Sequence, residues 1–397
     1  MNSTILVINC GSSSLKFAVI DTRTHAVSIS GLAEKLGMDG GCVTFKFNDE
    51  KSTLKLTESS HAAAMSSIID KLKAVHLLET IRAVGHRVVH GGEQFRTSAI
   101  ITESVLNSIE ACSKLAPLHN PAALLGIRVA QEHFPDLVHT AVFDTAFHQT
   151  MPEHAYYYAI PREIYRENGV RRYGFHGTSY RYVAQQAANM LGKPLSVVHL
   201  VCAHLGNGAS LCAVRNGISV DTTMGMTPLE GLVMGTRSGD VDPGLYGHLA
   251  NERGMTALEI NDMLNKRSGL LGLSGLSSDC RVLQEAAEQG HNGARIALEK
   301  FCYRLAKYIA GQMVAVGRVD GLVFTGGIGE NSVWVRSRAI MWLEHFGYKL
   351  NDEANREFVG GKQGFINADG SIPIMVVPTN EELMIALDTA QLAKLEC

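Results

Sequence analysis

Ile5-Leu6-Val7-Ile8-Asn9-Cys10-Gly11-Ser12-Ser13-Ser14-Leu15-Lys16-Phe17-Ala18-Val19-Ile20 reads as a strand, a tight turn of small residues and a second strand. The first run is continuously apolar, the pattern of a strand buried on both faces. Gly11 and the serines after it are expected to leave main-chain N–H groups uncovered at the turn, where an anion can sit. Asn9 and Lys16 face that turn from its two sides. A second copy lies near mid-chain, Leu200-Val201-Cys202-Ala203-His204-Leu205-Gly206-Asn207-Gly208-Ala209-Ser210-Leu211-Cys212-Ala213-Val214, with the same order of apolar run, Gly/Asn/Ser turn and apolar run. One such hairpin decides little. Two in one chain point to an internally duplicated fold with two phosphate-holding loops.

Outward from these hairpins, apolar strands alternate with helical spacing, so the class is α/β. At 397 residues two domains are expected. The texture changes near Met151, where residues 151–173 are rich in Tyr, Pro and Arg, and the boundary is placed there: a domain over 1–149 and a second over 150–381. Pro378-Thr379-Asn380-Glu381-Glu382 opens a terminal helix, about 382–397, with its cap and first-turn acids in place. Net charge is −3 with no basic block, which argues against nucleic acid as a partner. No apolar run reaches membrane-spanning length. The opening residues lack a basic n-region and a cleavage pattern, so no signal peptide is expected. Eight cysteines without a Cys-x-x-Cys fit reduced thiols in a cytosolic protein.

There is no Gly-x-x-x-x-Gly-Lys-Ser/Thr loop and no dinucleotide Gly-x-Gly-x-x-Gly opening a helix. A bound nucleotide would need other glycine loops: 11–14, 206–210 and 326–331, each just after an expected strand, where α/β folds place ligands. Each alone is equally an ordinary turn; together they favour phosphate binding. Residues 223–244 form a long aperiodic stretch, a length usually reserved for functional loops. Arg87, between an apolar strand and paired glycines, and Arg237, among small residues, suit an anion or a buried carboxylate. His86, His90 and Glu93 read better as structural residues than as a metal site. His176 and His204 sit beside glycines, accessible to a polar ligand or merely structural. Asp144 ends a buried strand, as a catalytic carboxylate or as a cap. Glu381 and Glu382 alone read as helix-dipole residues.

Taken together, eight stretches closely resemble the acetate kinase family (acetate and propionate kinases): Asn9 to Lys16, Gly85 to Gly92, Phe143 to His148, Gly174 to Ser179, His204 to Gly208, Gly235 to Asp240, Gly326 to Asn331 and Pro378 to Leu383. They span nearly the whole chain in the family's order. The resemblance implies two duplicated ribonuclease-H-like domains of the actin-like, sugar-kinase-like superfamily. The terminal helix would pack back on the first domain, with a central cleft between the domains. It implies Mg²⁺, with Mn²⁺ as a substitute, held by Asn9 and Glu381. Nucleotide (ATP or ADP) would be bound by Lys16, His204, Leu205, Gly206, Asn207, Gly208, Asp279, Cys280, Arg281, Gly327, Ile328, Gly329, Glu330 and Asn331. Arg87 would take the substrate carboxylate, with Val89, Leu118, Phe175 and Pro228 around the acyl group. His176 and Arg237 would stabilise the transition state, and the family's acid/base position is Asp144. A cytoplasmic homodimer is implied too.

The implied reaction is ATP + acetate ⇌ ADP + acetyl phosphate, by direct in-line transfer. Acetate is already ionised near neutral pH, since carboxyl groups titrate near ~4, so a general base has no proton to remove. Asp144 is therefore read as orienting an arginine or a metal-bound water. Two other readings stand beside this: a kinase for propionate or another short-chain acid, and an actin-like ATPase without a carboxylate substrate. Arg87 beside its glycine turn disfavours the last, which needs no second carboxylate site.

Overall fold

The computed structural model describes residues 3–117 and 119–395; the expected acyl-pocket residue Leu118 lies outside them. The chain divides into two compact units, Met1–Gln149 with Asn380–Cys397, and Thr150–Thr379.

The first unit is built on an eight-stranded sheet. Its order is Glu50–Lys55, Cys42–Phe47, Val27–Glu34, Ser14–Asp21, Thr4–Cys10, Ile81–Val88, Val138–Phe143 and Ala99–Ile100. Thr4–Cys10 pairs antiparallel with Ser14–Asp21 and parallel with Ile81–Val88, which in turn runs parallel to Val138–Phe143. Ile5, Leu6, Val7 and Ile8 are each at most 1% exposed, as a strand covered on both faces requires. The amphipathic helices His61–Ala74 and Asn120–His133 bring Ile68, Leu72, Val129 and Ala130 onto Leu6, Phe17 and Val84. The terminal helix Glu381–Leu392, capped by Asn380, also belongs to this unit. It lies close over Ile81–Val88, where Gly85 has no Cβ to collide with Thr389, and Thr389 Oγ1 hydrogen bonds Thr140 Oγ1 at 2.6 Å.

The second unit repeats the plan. Its sheet runs Ile218–Thr222, Ala209–Arg215, His199–Leu205, Gly321–Thr325, Ile374–Val376, Gly364–Phe365. Here too an antiparallel hairpin is followed by two parallel strands, so the five strands around each hairpin have the same order and directions. The 25-residue helix Asn292–Val316 buries Leu298, Phe301, Leu305 and Ile309 in this unit's core. Residues 223–243 carry no helix or strand, in line with their missing period.

Two local expectations fail. The Gly11 N–H is not open to an anion: it donates to the Ser14 carbonyl at 2.8 Å, closing the turn. Gly326–Asn331 is a short helix and not a glycine loop. Gly326 at φ 76° turns the strand directly into it, and a Cβ there would sit 2.8 Å from the Leu205 main-chain oxygen, so only glycine allows the second hairpin this close.

Candidate active site

In the first unit, Arg87 near the end of its strand meets Asp144, the residue after strand Val138–Phe143. Arg87 donates from Nε to Oδ1 at 3.0 Å and from Nη2 to Oδ2 at 2.6 Å. Burial raises the Asp144 carboxyl above the usual carboxylate range, with Arg87 pulling the other way. Asp144, and more weakly Glu381, hold the Arg87 guanidinium firmly charged. A guanidinium has five N–H donors; two go to Asp144, leaving three for another anion. Asn9 and Lys16 are register partners across the first hairpin, and Lys16 Nζ pairs with Glu382 at 2.5 Å. The parallel sheet thus gathers Arg87 and Asp144 with Glu381 near them, while Val89 is half-buried two residues on.

In the second unit His176 opens helix Gly177–Met190 in the left-handed conformation, φ 59°. A non-glycine residue held there costs of order 1–3 kcal/mol, and such strain concentrates at functional sites. Its ring stacks on His204 with centroids 4.2 Å apart. His176 Nδ1 lies 2.9 Å from Ser210 Oγ and His204 Nδ1 2.8 Å from Ser179 Oγ. Arg237 is anchored by donation from Nη1 to the Pro228 carbonyl at 3.1 Å, and has no carboxylate partner among the described residues. Burial lowers its pKa from the usual arginine value, so its charge is held at a desolvation cost that an anion would offset. A Cβ on Gly208 would lie 3.3 Å from Arg237 Nη1 and 3.7 Å from the His176 ring. Glycine, imidazole and guanidinium therefore converge on one spot. Phe175 is buried beside them in sequence, only 2% exposed.

A cavity of about 870 Å³ in the same unit is lined by Gly206, Asn207, Asp279, Cys280, Arg281, Gly327, Ile328 and Asn331, eight residues expected to bind nucleotide. Its size suits a nucleotide-sized ligand. Ser278, Gln284, Ser332, Val333, Trp334 and Ser337 complete the wall, and sequence reasoning missed them; the signal available was Trp334, one of two tryptophans in the chain. His204, Leu205, Gly208, Gly329 and Glu330 do not line it. Leu205 is fully buried. Glu330 turns inward, its Oε1 accepting the main-chain N–H of Gly326 at 2.9 Å and of Thr379 at 3.0 Å, so it bolts the strand ends together. Asp279 caps helix Cys280–Glu288 and receives Arg281 back onto itself, Nη2 to Oδ2 at 2.6 Å. A second cavity of about 490 Å³ around Tyr157, Arg162 and Tyr165 holds none of the motif residues.

A duplicated α/β sheet with a nucleotide-sized cavity, a half-buried arginine that has no carboxylate partner among the described residues and a carboxylate-tethered arginine defines a nucleotide-dependent phosphotransferase. The chain belongs to the acetokinase family, whose sequence model matches residues 4–387. It is 61% identical to an acetate kinase of Chromobacterium violaceum over 395 residues, covering the whole of both chains. Among solved structures it resembles a propionate kinase from Francisella tularensis (TM-score 0.94, 46% identity, 98% of this chain and 99% of that one). A Porphyromonas gingivalis acetate kinase is similarly close (TM-score 0.93, 43% identity, the same coverage).

Proposed function

We infer that the chain is an acetate kinase, catalysing ATP + acetate ⇌ ADP + acetyl phosphate. One acetate oxygen attacks the γ-phosphorus. The bond to the β–γ bridging oxygen breaks with its electron pair leaving on ADP. No proton moves, so positioning and charge compensation must supply the catalysis. The reading is supported by one observation: Arg237, His176 and Gly208, which converge on one spot, and Gly206, Asn207, Gly327, Ile328 and Asn331 of the cavity wall all fall in motifs through which the chain resembles its family.

Arg87 binds the acetate carboxylate with the donors that Asp144 leaves over, and Asp144 fixes the guanidinium without taking a proton. Val89 bounds the methyl group. Arg237 and His176 meet the transferring phosphoryl group, where one well-placed donor is worth about 3–4 kcal/mol. The loops around Asn207, Asp279 and Ile328 hold the nucleotide, and Lys16 meets its phosphates. Asn9 and Glu381 offer only oxygen donors from side-chain amide and carboxylate, and Glu381 already acts on the Arg87–Asp144 pair. Among the described residues no group of three or more His, Cys, Asp or Glu forms a metal cage. Few carboxylates with water and phosphate completing the shell is how Mg²⁺ binds, so this pair would hold Mg²⁺, which would neutralise phosphate charge. The reading also takes the enzyme as cytoplasmic and homodimeric, as the family resemblance implies; no described helix is long and apolar enough to cross a membrane.

Incubation with ATP, Mg²⁺, acetate and hydroxylamine tests the assignment: acyl hydroxamate should accumulate only when acetate is present. ATP hydrolysis without hydroxamate would leave the ATPase reading. Propionate is the second reading, because one methylene separates the two acids.

A further inference from the structure

Behind His176 stands a pair of hydroxyls that the reaction as described does not use. Ser210 sits on strand Ala209–Arg215, in register with His204, and Tyr180 projects from the first turn of helix Gly177–Met190. Both are 0% exposed. Tyr180 Oη lies 2.5 Å from Ser210 Oγ, and Ser210 Oγ lies 2.9 Å from His176 Nδ1. The Tyr180 ring also packs edge-on to His204, with centroids 6.4 Å apart.

We propose that Tyr180 and Ser210 are positioning residues: a one-way hydroxyl relay, Tyr180 Oη–H to Ser210 Oγ and Ser210 Oγ–H to His176 Nδ1, holds His176 as its Nε2–H tautomer and so aims a neutral N–H donor at the transferring phosphoryl group. The inference rests on the assignment of His176 to that group. Burial pushes the Tyr180 phenol well above its usual pKa, so its proton stays in place. A phenol is the more acidic hydroxyl of the pair and the better donor, so its proton is directed at the serine oxygen. A serine hydroxyl has one proton, and with its oxygen accepting from Tyr180 that proton is presented to Nδ1. A neutral imidazole that accepts at Nδ1 carries its hydrogen on Nε2. The opposite tautomer would turn a lone pair toward an anionic phosphoryl group and forfeit a donor worth about 10²–10³ in rate.

The decisive measurement is long-range ¹H–¹⁵N correlation on the full-length protein labelled in histidine. His176 should show a pyridine-like Nδ1 and a pyrrole-like Nε2. A protonated Nδ1 would reverse the relay and overturn the proposal, with no variant and no turnover needed. Tyr180→Phe keeps the ring's packing, and it should mix the tautomers and lower kcat about 10–100-fold while KM for ATP and acetate moves less than about threefold. Ser210→Ala should do the same. Wild-type kcat in both variants would also overturn the proposal. If Tyr180→Phe does not fold, the wild-type spectrum still decides. A wild-type chain that makes no acyl hydroxamate but shows the Nε2–H tautomer would remove the functional reading and leave the relay standing.

Discussion

The Arg87 guanidinium and the Asp144 carboxylate are joined by two parallel hydrogen bonds, with the Asp144 side chain 3% exposed and that of Arg87 23% exposed. Removing one partner of such a pair strands the other in a low-dielectric site, typically at a cost of about 3–5 kcal/mol. Arg87→Ala should therefore do two things. It should lower stability by about that amount in urea unfolding, and raise KM for acetate far more than KM for ATP. The double variant Arg87→Ala with Asp144→Asn should regain much of the stability and none of the acetate affinity. Equal effects on both substrates would move Arg87 to the phosphate side.

Asp144→Asn alone keeps the shape of the site and weakens the clamp on Arg87. If Asp144 orients and transfers no proton, kcat/KM for acetate should fall by about 100-fold. The fall should be uniform from about pH 6 to about pH 9, with the shape of the profile unchanged. A variant that kept most of its activity but lost one limb of the pH–rate profile would identify Asp144 as a proton-transfer group.

Gly208→Ala tests the convergence in the second unit. The added methyl would stand 3.3 Å from Arg237 Nη1 and 3.7 Å from the His176 ring, tight against the guanidinium and without backbone strain. A shift of the donors by a fraction of an ångström should lower kcat by at least about tenfold. Stability should change by less than about 1 kcal/mol. A variant with full turnover would show that this spot is not where the phosphoryl group sits.

His86 and His139 form a buried neutral pair on adjacent strands of the first sheet. Their rings stack with centroids 5.3 Å apart and His86 Nε2 is 3.0 Å from His139 Nδ1, while His139 Nε2 is 3.0 Å from the Phe134 carbonyl. The carbonyl takes an N–H from His139, so His139 Nδ1 accepts the N–H of His86. Burial depresses both pKa values, that of His86 strongly. Below about pH 6.5 the unfolded chain binds protons that the folded chain refuses, so stability is full above that pH and falls as pH drops through it. The slope is about 1.4 kcal/mol per pH unit for each histidine. Urea midpoints at pH 7.5, 6.5 and 5.5 should trace this loss, and His86→Gln should flatten it by about one proton. An unchanged slope in the variant would assign the acid sensitivity elsewhere.

The duplicated plan was legible because an unbroken apolar run before a small-residue turn has few other meanings, and both copies carry it. Asp144 at a strand end and the glycines beside His204 were legible for the same reason. Contacts made by side chains distant in sequence were not. Nothing in the sequence marks Tyr180 as more than core filler, or pairs Ser179 and Ser210 with a histidine, until the helix and the second hairpin bring them onto two imidazoles. Likewise Gly326–Asn331 has the composition of a loop. It folds as helix because Asn331 Nδ2 donates to the Gly327 carbonyl at 3.0 Å and Glu330 satisfies the Gly326 N–H, interactions that offset glycine's low propensity.

On the proposed reading, chain-length preference should turn on Val89. It follows strand Ile81–Val88, two residues beyond Arg87, and is half-buried, which fits the proposed role of bounding an acyl group held by that arginine. A β-branched side chain is stiff at χ1 and does not swing aside. It should leave space for a methyl group and crowd a second carbon. A buried methylene gains about 0.8 kcal/mol where room exists, and apolar pockets separate substrates differing by one methylene by only about 10–200-fold. Acetate should therefore rank first, propionate should be a weaker but real substrate, and butyrate should be poor. Val89→Ala removes two methyl groups from the wall. It should narrow or reverse the acetate–propionate gap in kcat/KM while leaving KM for ATP nearly unchanged. Because Val89 is only half-buried, truncation should cost less stability than the core truncations that leave sealed cavities, so the comparison can be made on folded protein. A wild type that prefers propionate, or a variant whose ranking stays the same, would show that Val89 does not set the pocket's length.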